Sequence, residues 1–165
     1  MPSSTTPPPV SALDAGGDPA LIAGWISEAT AIKKAAQRRA AQLMSARRAG
    51  GGGAIVNVSS VAATLGSAHE YVHYAAAKAA VDALTVGLAK ELASDGIRVN
   101  AVAPGIVRTR IHADAGDPGR ADRLASRIPV ERAGDPDEIA AAIAWLLSPE
   151  ASYVTGAVLR AGGGL

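Results

Sequence analysis

The 165-residue sequence contains no cysteine. Disulfides, thiolate metal sites and a cysteine nucleophile are thereby excluded, and a cytoplasmic protein needs none of them. Phenylalanine is absent as well, and aromatic residues make up only 3% of the chain. Its hydrophobic residues, 48% of the total, are mostly Ala, Val, Ile and Leu. That mix suits helices on a parallel sheet better than an aromatic-centred β-sandwich. Charge is nearly balanced at +1, so bulk electrostatics points to neither nucleic acid nor an anionic membrane. The longest strongly apolar stretch, Ile139 to Leu147, is far shorter than the ~20 residues of a membrane span. Met1 to Val10 has neither the positive charge nor the apolar run of a secretory signal. A soluble, cytoplasmic protein is expected, with no nucleic-acid, membrane or metal partner.

Residues 1–17 read as a disordered tail, because Pro7-Pro8-Pro9 and Gly16-Gly17 oppose regular structure. Asp18-Pro19 has the chemistry of a helix start, and the Ala-rich run to Arg48 predicts a helix. Its second half carries Lys33, Lys34, Arg38, Arg39, Arg47 and Arg48. No aromatic or RNA-binding signature accompanies that charge, so it reads as a solvated face. Gly50 to Gly53 breaks the helix, and Ala54 to Val58 is an apolar run fit for a buried parallel strand. Tyr74 to Ala93 reads as helix, with Val81, Leu84, Leu88 and Leu92 on one face. Ile97 to Val102 is the next strand. Residues 105–134 form a long excursion with one short helix near 119–127. Asp135-Pro136-Asp137-Glu138 then starts a helix whose stripe is Ile139, Ile143, Leu146 and Leu147. Pro149 stops it, and Ala157 to Arg160 is a last short strand. Strands alternating with helices predict an α/β fold: a thin parallel sheet of about three strands flanked by helices. Residues 18–165 are expected to form one domain.

Tyr74 and Lys78 lie four residues apart on a helix, so their side chains share a face. A phenol ordinarily titrates near ~10 and is a poor base at neutral pH. An ammonium ~5 Å from a phenolate, at an effective dielectric of ~20, stabilises it by roughly 3 kcal/mol. A three-unit shift needs ~4 kcal/mol, so a pair of this kind becomes a general acid/base with help from a nearby cationic ring. Tyr-x-x-x-Lys is weak evidence by itself, and its context carries the argument. Ser59-Ser60 ends the first strand, at the carboxyl edge where α/β sheets place ligands. Alternation lets at most one of the two face the tyrosine. A serine there either hydrogen-bonds a substrate carbonyl or caps a turn.

Together, Ile55-Val56-Asn57-Val58-Ser59-Ser60, Tyr74-Ala75-Ala76-Ala77-Lys78, Arg98-Val99-Asn100-Ala101-Val102-Ala103-Pro104-Gly105 with Thr109, Ala133-Gly134-Asp135-Pro136-Asp137-Glu138-Ile139 and Tyr153-Val154-Thr155-Gly156 resemble the short-chain dehydrogenase/reductase family. The likeness runs unbroken from about residue 54 to 165. It implies a Rossmann-like fold and an NAD- or NADP-dependent oxidoreductase interconverting a hydroxyl and a carbonyl on a small molecule. It further implies that Ser60 polarises the substrate oxygen, Tyr74 transfers the proton, and Lys78 favours the phenolate while holding the nicotinamide ribose with Tyr74. Pro104, Gly105, Val107 and Thr109 would border the nicotinamide. Asn100 is expected to anchor backbone, and His69 and His73 to be surface residues.

The sequence departs from the family pattern at its start. Family members open with a strand, a Gly-rich turn and a helix that cradles the pyrophosphate. Here Gly50 to Gly53 precedes a strand, and Gly162-Gly163-Gly164 has no helix after it. The chain therefore resembles the C-terminal catalytic portion of the family, a truncated Rossmann-like domain with weak or lost cofactor binding. The family's relay asparagine is also missing, since the only asparagines are Asn57 and Asn100. A homo-oligomeric enzyme is the leading expectation. An inactive paralogue serving as an oligomerisation or interaction module is the alternative.

Overall fold

The computed structural model describes Ala35 and residues 38–165. The expected 1–17 tail and most of the 18–48 helix lie outside those residues. Residues 38–44 are helical (α1), and the helix ends at Met44 rather than Arg48. Ser45 leaves helical geometry with ψ 119°, and a 3-10 turn over Ala46–Arg48 follows. A tertiary contact favours the early exit: buried Ser45 donates its hydroxyl proton to Asp95 at 2.9 Å.

The sheet has three parallel strands, β1 (Gly53–Val58), β2 (Ile97–Pro104) and β3 (Val158–Ala161), in that spatial order. Between β1 and β2 come α2 (Ala62–Leu65) and the long α3 (Val72–Leu92). Between β2 and β3 come α4 (Ile111–Asp114), α5 (Arg120–Leu124) and α6 (Pro136–Leu147). The expected α/β architecture is thus present, with strand limits within two residues of those read from the sequence. Helices α2 and α4 were not anticipated; each is a four-residue segment, too short to show a period.

Central β2 explains its own composition. Ile97, Val99, Ala101, Val102 and Ala103 are all buried, as a strand covered on both faces requires. Ala41, Ala89, Ile97 and Val99 form a core cluster, with Met44, Ile55, Leu88 and Leu92 packed against it. The expected α3 stripe needs a correction. Its fully buried side chains are Ala75, Thr85 and Ala89, while Val81, Leu84, Leu88 and Leu92 are half-buried. Small residues let the helix sit close to the sheet, and leucines flank that contact line. On α6, Leu146 is fully buried and Ile139 and Ile143 half-buried, but Leu147 is exposed. Positions i, i+4 and i+7 share the inner face, and the next residue turns ~100° away.

Candidate active site

Parallel pairing brings the carboxyl ends of all three strands to one edge, with Val58 beside Val102 and Pro104 beside Ala161. Ser59-Ser60, Gly105 to Thr109 and Gly162 to Leu165 leave that edge. Ser60 is held from both sides. The Ser59 N–H donates to the Val102 carbonyl at 2.7 Å, and the Val61 N–H to the Pro104 carbonyl at 3.0 Å.

Helix α3 brings Tyr74 in its first turn and Lys78 one turn later, both half-buried. The Lys78 ammonium lies 5.5 Å from the centroid of the Tyr74 ring. Its Nζ donates to the Val58 carbonyl, the last of β1, at 3.0 Å. Buried Ser59 donates its hydroxyl proton to the Lys78 carbonyl at 3.3 Å, tying the same turn to the same strand end. Deeper in, the Asn57 side-chain N–H donates to the Thr85 hydroxyl at 2.9 Å, and that hydroxyl donates to the Val81 carbonyl at 2.8 Å. These bonds fix how far α3 slides along β1, and hence where Tyr74 and Lys78 meet the edge.

The structure therefore brings Tyr74 and Lys78 together and seats Ser60 two residues beyond the carbonyl that holds Lys78. Ser60 is half-buried, and its Oγ accepts the Ala62 N–H at 3.2 Å. It is a turn cap, as a serine in that position can be. Accepting that amide leaves the hydroxyl proton to donate elsewhere. The Val58 carbonyl had no sequence signal, since any residue type supplies it; Ser59 was visible at the strand end, but its partner, a backbone oxygen nineteen positions away, was not.

The residues expected beside a nicotinamide begin at the end of β2. Gly105 donates its N–H to the Ala161 carbonyl at 3.1 Å. A Cβ on Gly105 would lie 2.7 Å from the Cα of Gly162, so the two backbones touch where no side chain fits. Val107 is buried, pairs with Gly134 and has its carbonyl 2.8 Å from the His112 ring Nε2. Thr109 is exposed, two residues further on. His69 is exposed and His73 lies edge-on to Tyr71. Asn100 is fully buried and does anchor backbone: it donates to the Val154 carbonyl at 2.8 Å and accepts the Ala157 N–H at 3.0 Å.

A bound nicotinamide nucleotide would need two cradles. The phenol, ammonium and threonine hydroxyl offer polar groups of the type that suit its ribose and amide. For the pyrophosphate the fit fails at the Gly50–Gly53 run, where three amides are already bonded. The Gly50 N–H is spent on the Ser45 carbonyl, that of Gly52 on Met44 and that of Gly53 on Gly96, at 2.9, 2.9 and 3.0 Å. Gly52 itself, at φ +79°, has a carbonyl 2.6 Å from where a Cβ would stand, so this run serves a tight chain crossing.

A family model described as enoyl-(acyl carrier protein) reductase matches residues 25–165. The uncharacterized oxidoreductase YgfF of Escherichia coli (strain K12) is 59% identical over 111 residues, covering 67% of this chain and 45% of that protein. The 3-oxoacyl-(acyl-carrier-protein) reductase FabG of Vibrio harveyi is 48% identical over the same length, with the same two coverages. An NADPH-bound short chain oxidoreductase from Pseudomonas aeruginosa PAO1 superposes with a TM-score of 0.60 at 38% identity, covering 68% of this chain and 45% of that one. The chain thus spans about half the length of the proteins it matches. On sequence, strand order and edge chemistry alike, it belongs to the short-chain dehydrogenase/reductase family.

Proposed function

We propose that this chain is the catalytic half of an NAD- or NADP-dependent oxidoreductase that interconverts a hydroxyl and a carbonyl on a small molecule. The observation that carries the reading is the placement of the Lys78 ammonium between the Val58 carbonyl, at 3.0 Å, and the Tyr74 ring, 5.5 Å from its centroid. A cation held there stands beside the ring whose hydroxyl would exchange the proton with substrate. When bound, the nicotinamide supplies or accepts the hydride. In the reducing direction Tyr74 gives its proton to the carbonyl oxygen, and Ser60 donates a hydrogen bond to the same oxygen as charge builds on it. In the oxidising direction the phenolate takes the hydroxyl proton. Lys78 and Tyr74 would also hold the nicotinamide ribose, with Pro104, Gly105, Val107 and Thr109 along the ring. We place the enzyme in the cytoplasm as a homo-oligomer.

The test is consumption of reduced cofactor with a short 3-oxoacyl thioester and a panel of small ketones. Tyr74→Phe should lower turnover about 10²–10⁴-fold, the usual worth of a positioned proton donor, and leave the circular dichroism spectrum unchanged. Turnover by Tyr74→Phe equal to that of the parent would overturn the proposal. One observation favours the alternative, an interaction module without activity: the N–H groups of Gly50, Gly52 and Gly53 already donate to backbone carbonyls. A folded chain with no fluorescence response at millimolar NADH or NADPH decides for it.

A further inference from the structure

We propose that Arg120 is a positioning residue, a latch that fastens the 105–134 excursion to the first turn of the helix carrying Tyr74. The part of this inference that concerns substrate rests on the function proposed above.

Five ion pairs occur among the described residues; this one and Arg47–Asp95, whose partners are 48 positions apart, are long-range, and of the five only this one has a mostly covered arginine. The pairs Arg108–Asp122, Arg123–Asp117 and Arg132–Glu138 close local loops, with partners at most 14 positions apart. Arg120 instead crosses 50 positions to Glu70, in the loop that enters α3. Its side chain is 19% exposed, against 46% to 66% for the arginines of the other four pairs. Exposed pairs contribute little because water and salt screen them; a mostly covered guanidinium is screened less. The covering group is Tyr71, whose ring centroid lies 5.4 Å from the Arg120 guanidinium carbon, within cation–π range.

Tyr71 passes the hold onward. It is the residue before α3, and its carbonyl accepts the Ala75 N–H at 3.0 Å, closing the turn that contains Tyr74. Its ring meets that of His73 edge-on, with centroids 6.5 Å apart. The loop behind it is conformationally costly: Ser67 and His69 have φ of 45° and 64°, where a residue with a Cβ is disfavoured by roughly 1–2 kcal/mol. Such a loop keeps its shape only where other contacts over-determine it. Arg120 supplies two of them, from the excursion that leaves the sheet edge after Gly105.

The experiment is hydrogen exchange on the whole chain, with Arg120→Ala and Arg120→Lys. With alanine, amides at 70–75 and 117–127 should exchange about tenfold faster, with those of β2 unchanged. Lysine keeps the charge and loses the stacking plane, so it should restore part of the protection. Unchanged exchange at 70–75 overturns the proposal, as does an equal rise throughout β2, which would make Arg120 an ordinary stabilising residue. None of this requires catalysis, so loss of the proposed function through Tyr74→Phe leaves the latch separately testable. With a short 3-oxoacyl thioester as substrate, Arg120→Ala should lower kcat/KM about fivefold or more and Arg120→Lys should recover part of the loss, because the turn that carries Tyr74 loses its tie to the excursion. A kcat/KM within twofold of the parent in Arg120→Ala would reject the latch as a positioning device.

Discussion

Lys78 shows how single residues on this chain serve two masters. Its ammonium answers to the Val58 carbonyl and the Tyr74 ring, while its own carbonyl takes the Ser59 hydroxyl. The turn proposed to carry the chemistry is thus hydrogen-bonded to the strand end that presents Ser60. Asn100 has the opposite character, all structure and no chemistry. Its amide bridges the Val154 carbonyl and the Ala157 N–H, both needed to seat β3 beside β2. Asn100→Ala strands both backbone groups beside a fully buried position. Each orphaned group costs about 1–3 kcal/mol, so a loss of about 2–6 kcal/mol is expected in urea unfolding. A loss below about 1 kcal/mol would mean that water replaces the amide. The sequence motif flagged Asn100 correctly as an anchor; its partners, 54 and 57 positions away, could not be read from it.

Among the elements, α6 has the most legible start. Asp135, Pro136 and Glu138 announced it, and Glu138 does reach back to accept the Asp135 N–H at 2.9 Å. What no local rule foretold is Arg132, which grips both oxygens of the same carboxylate at 2.6 and 2.7 Å. The Arg132 guanidinium foremost, and then the Asp135 N–H, hold the Glu138 carboxyl at about 2, below the usual 4.5. A native state that holds this proton more weakly than the unfolded chain gains stability from the ionised group. That gain is complete above about pH 4.5 and drains away as pH falls through about 2. Both side chains are half exposed, so solvent screening keeps the effect small. Glu138→Gln should therefore show a shallower fall in Tm between pH 5 and pH 2 than the parent, with the two curves converging at the acid end. Parallel curves would mean the carboxyl titrates normally. The expected run of α1 to Arg48 is cut short by a tertiary contact, Ser45 to Asp95, while α2 and α4 are too short to show a period.

For the whole molecule, one edge of a three-stranded sheet collects Ser60, Tyr74 and Lys78, the residues proposed to do the chemistry. The nicotinamide side of a dinucleotide is proposed to lie there, whereas the amides of Gly50, Gly52 and Gly53 are already bonded elsewhere. Cofactor affinity should follow that asymmetry. Reduced nicotinamide mononucleotide and NADH should bind within about tenfold of each other, 1.4 kcal/mol, because the adenylate half meets no dedicated donors. Fluorescence titration of both ligands measures the ratio. A preference above a hundredfold for NADH would mean that the adenylate half does meet dedicated donors on this chain.

The sequence by itself determined the alternation of strand and helix, the spacing that puts Tyr74 and Lys78 on one helical face, and the family. Each of those is encoded within a few consecutive residues, by period, by turn chemistry or by motif. Only the tertiary structure decided that Val58 holds Lys78, that Gly105 and Gly162 meet backbone to backbone, and that Arg120 reaches Glu70 and Tyr71. Those contacts join positions 20 to 57 residues apart, and no local pattern encodes which strand end or loop a chain will fold back upon.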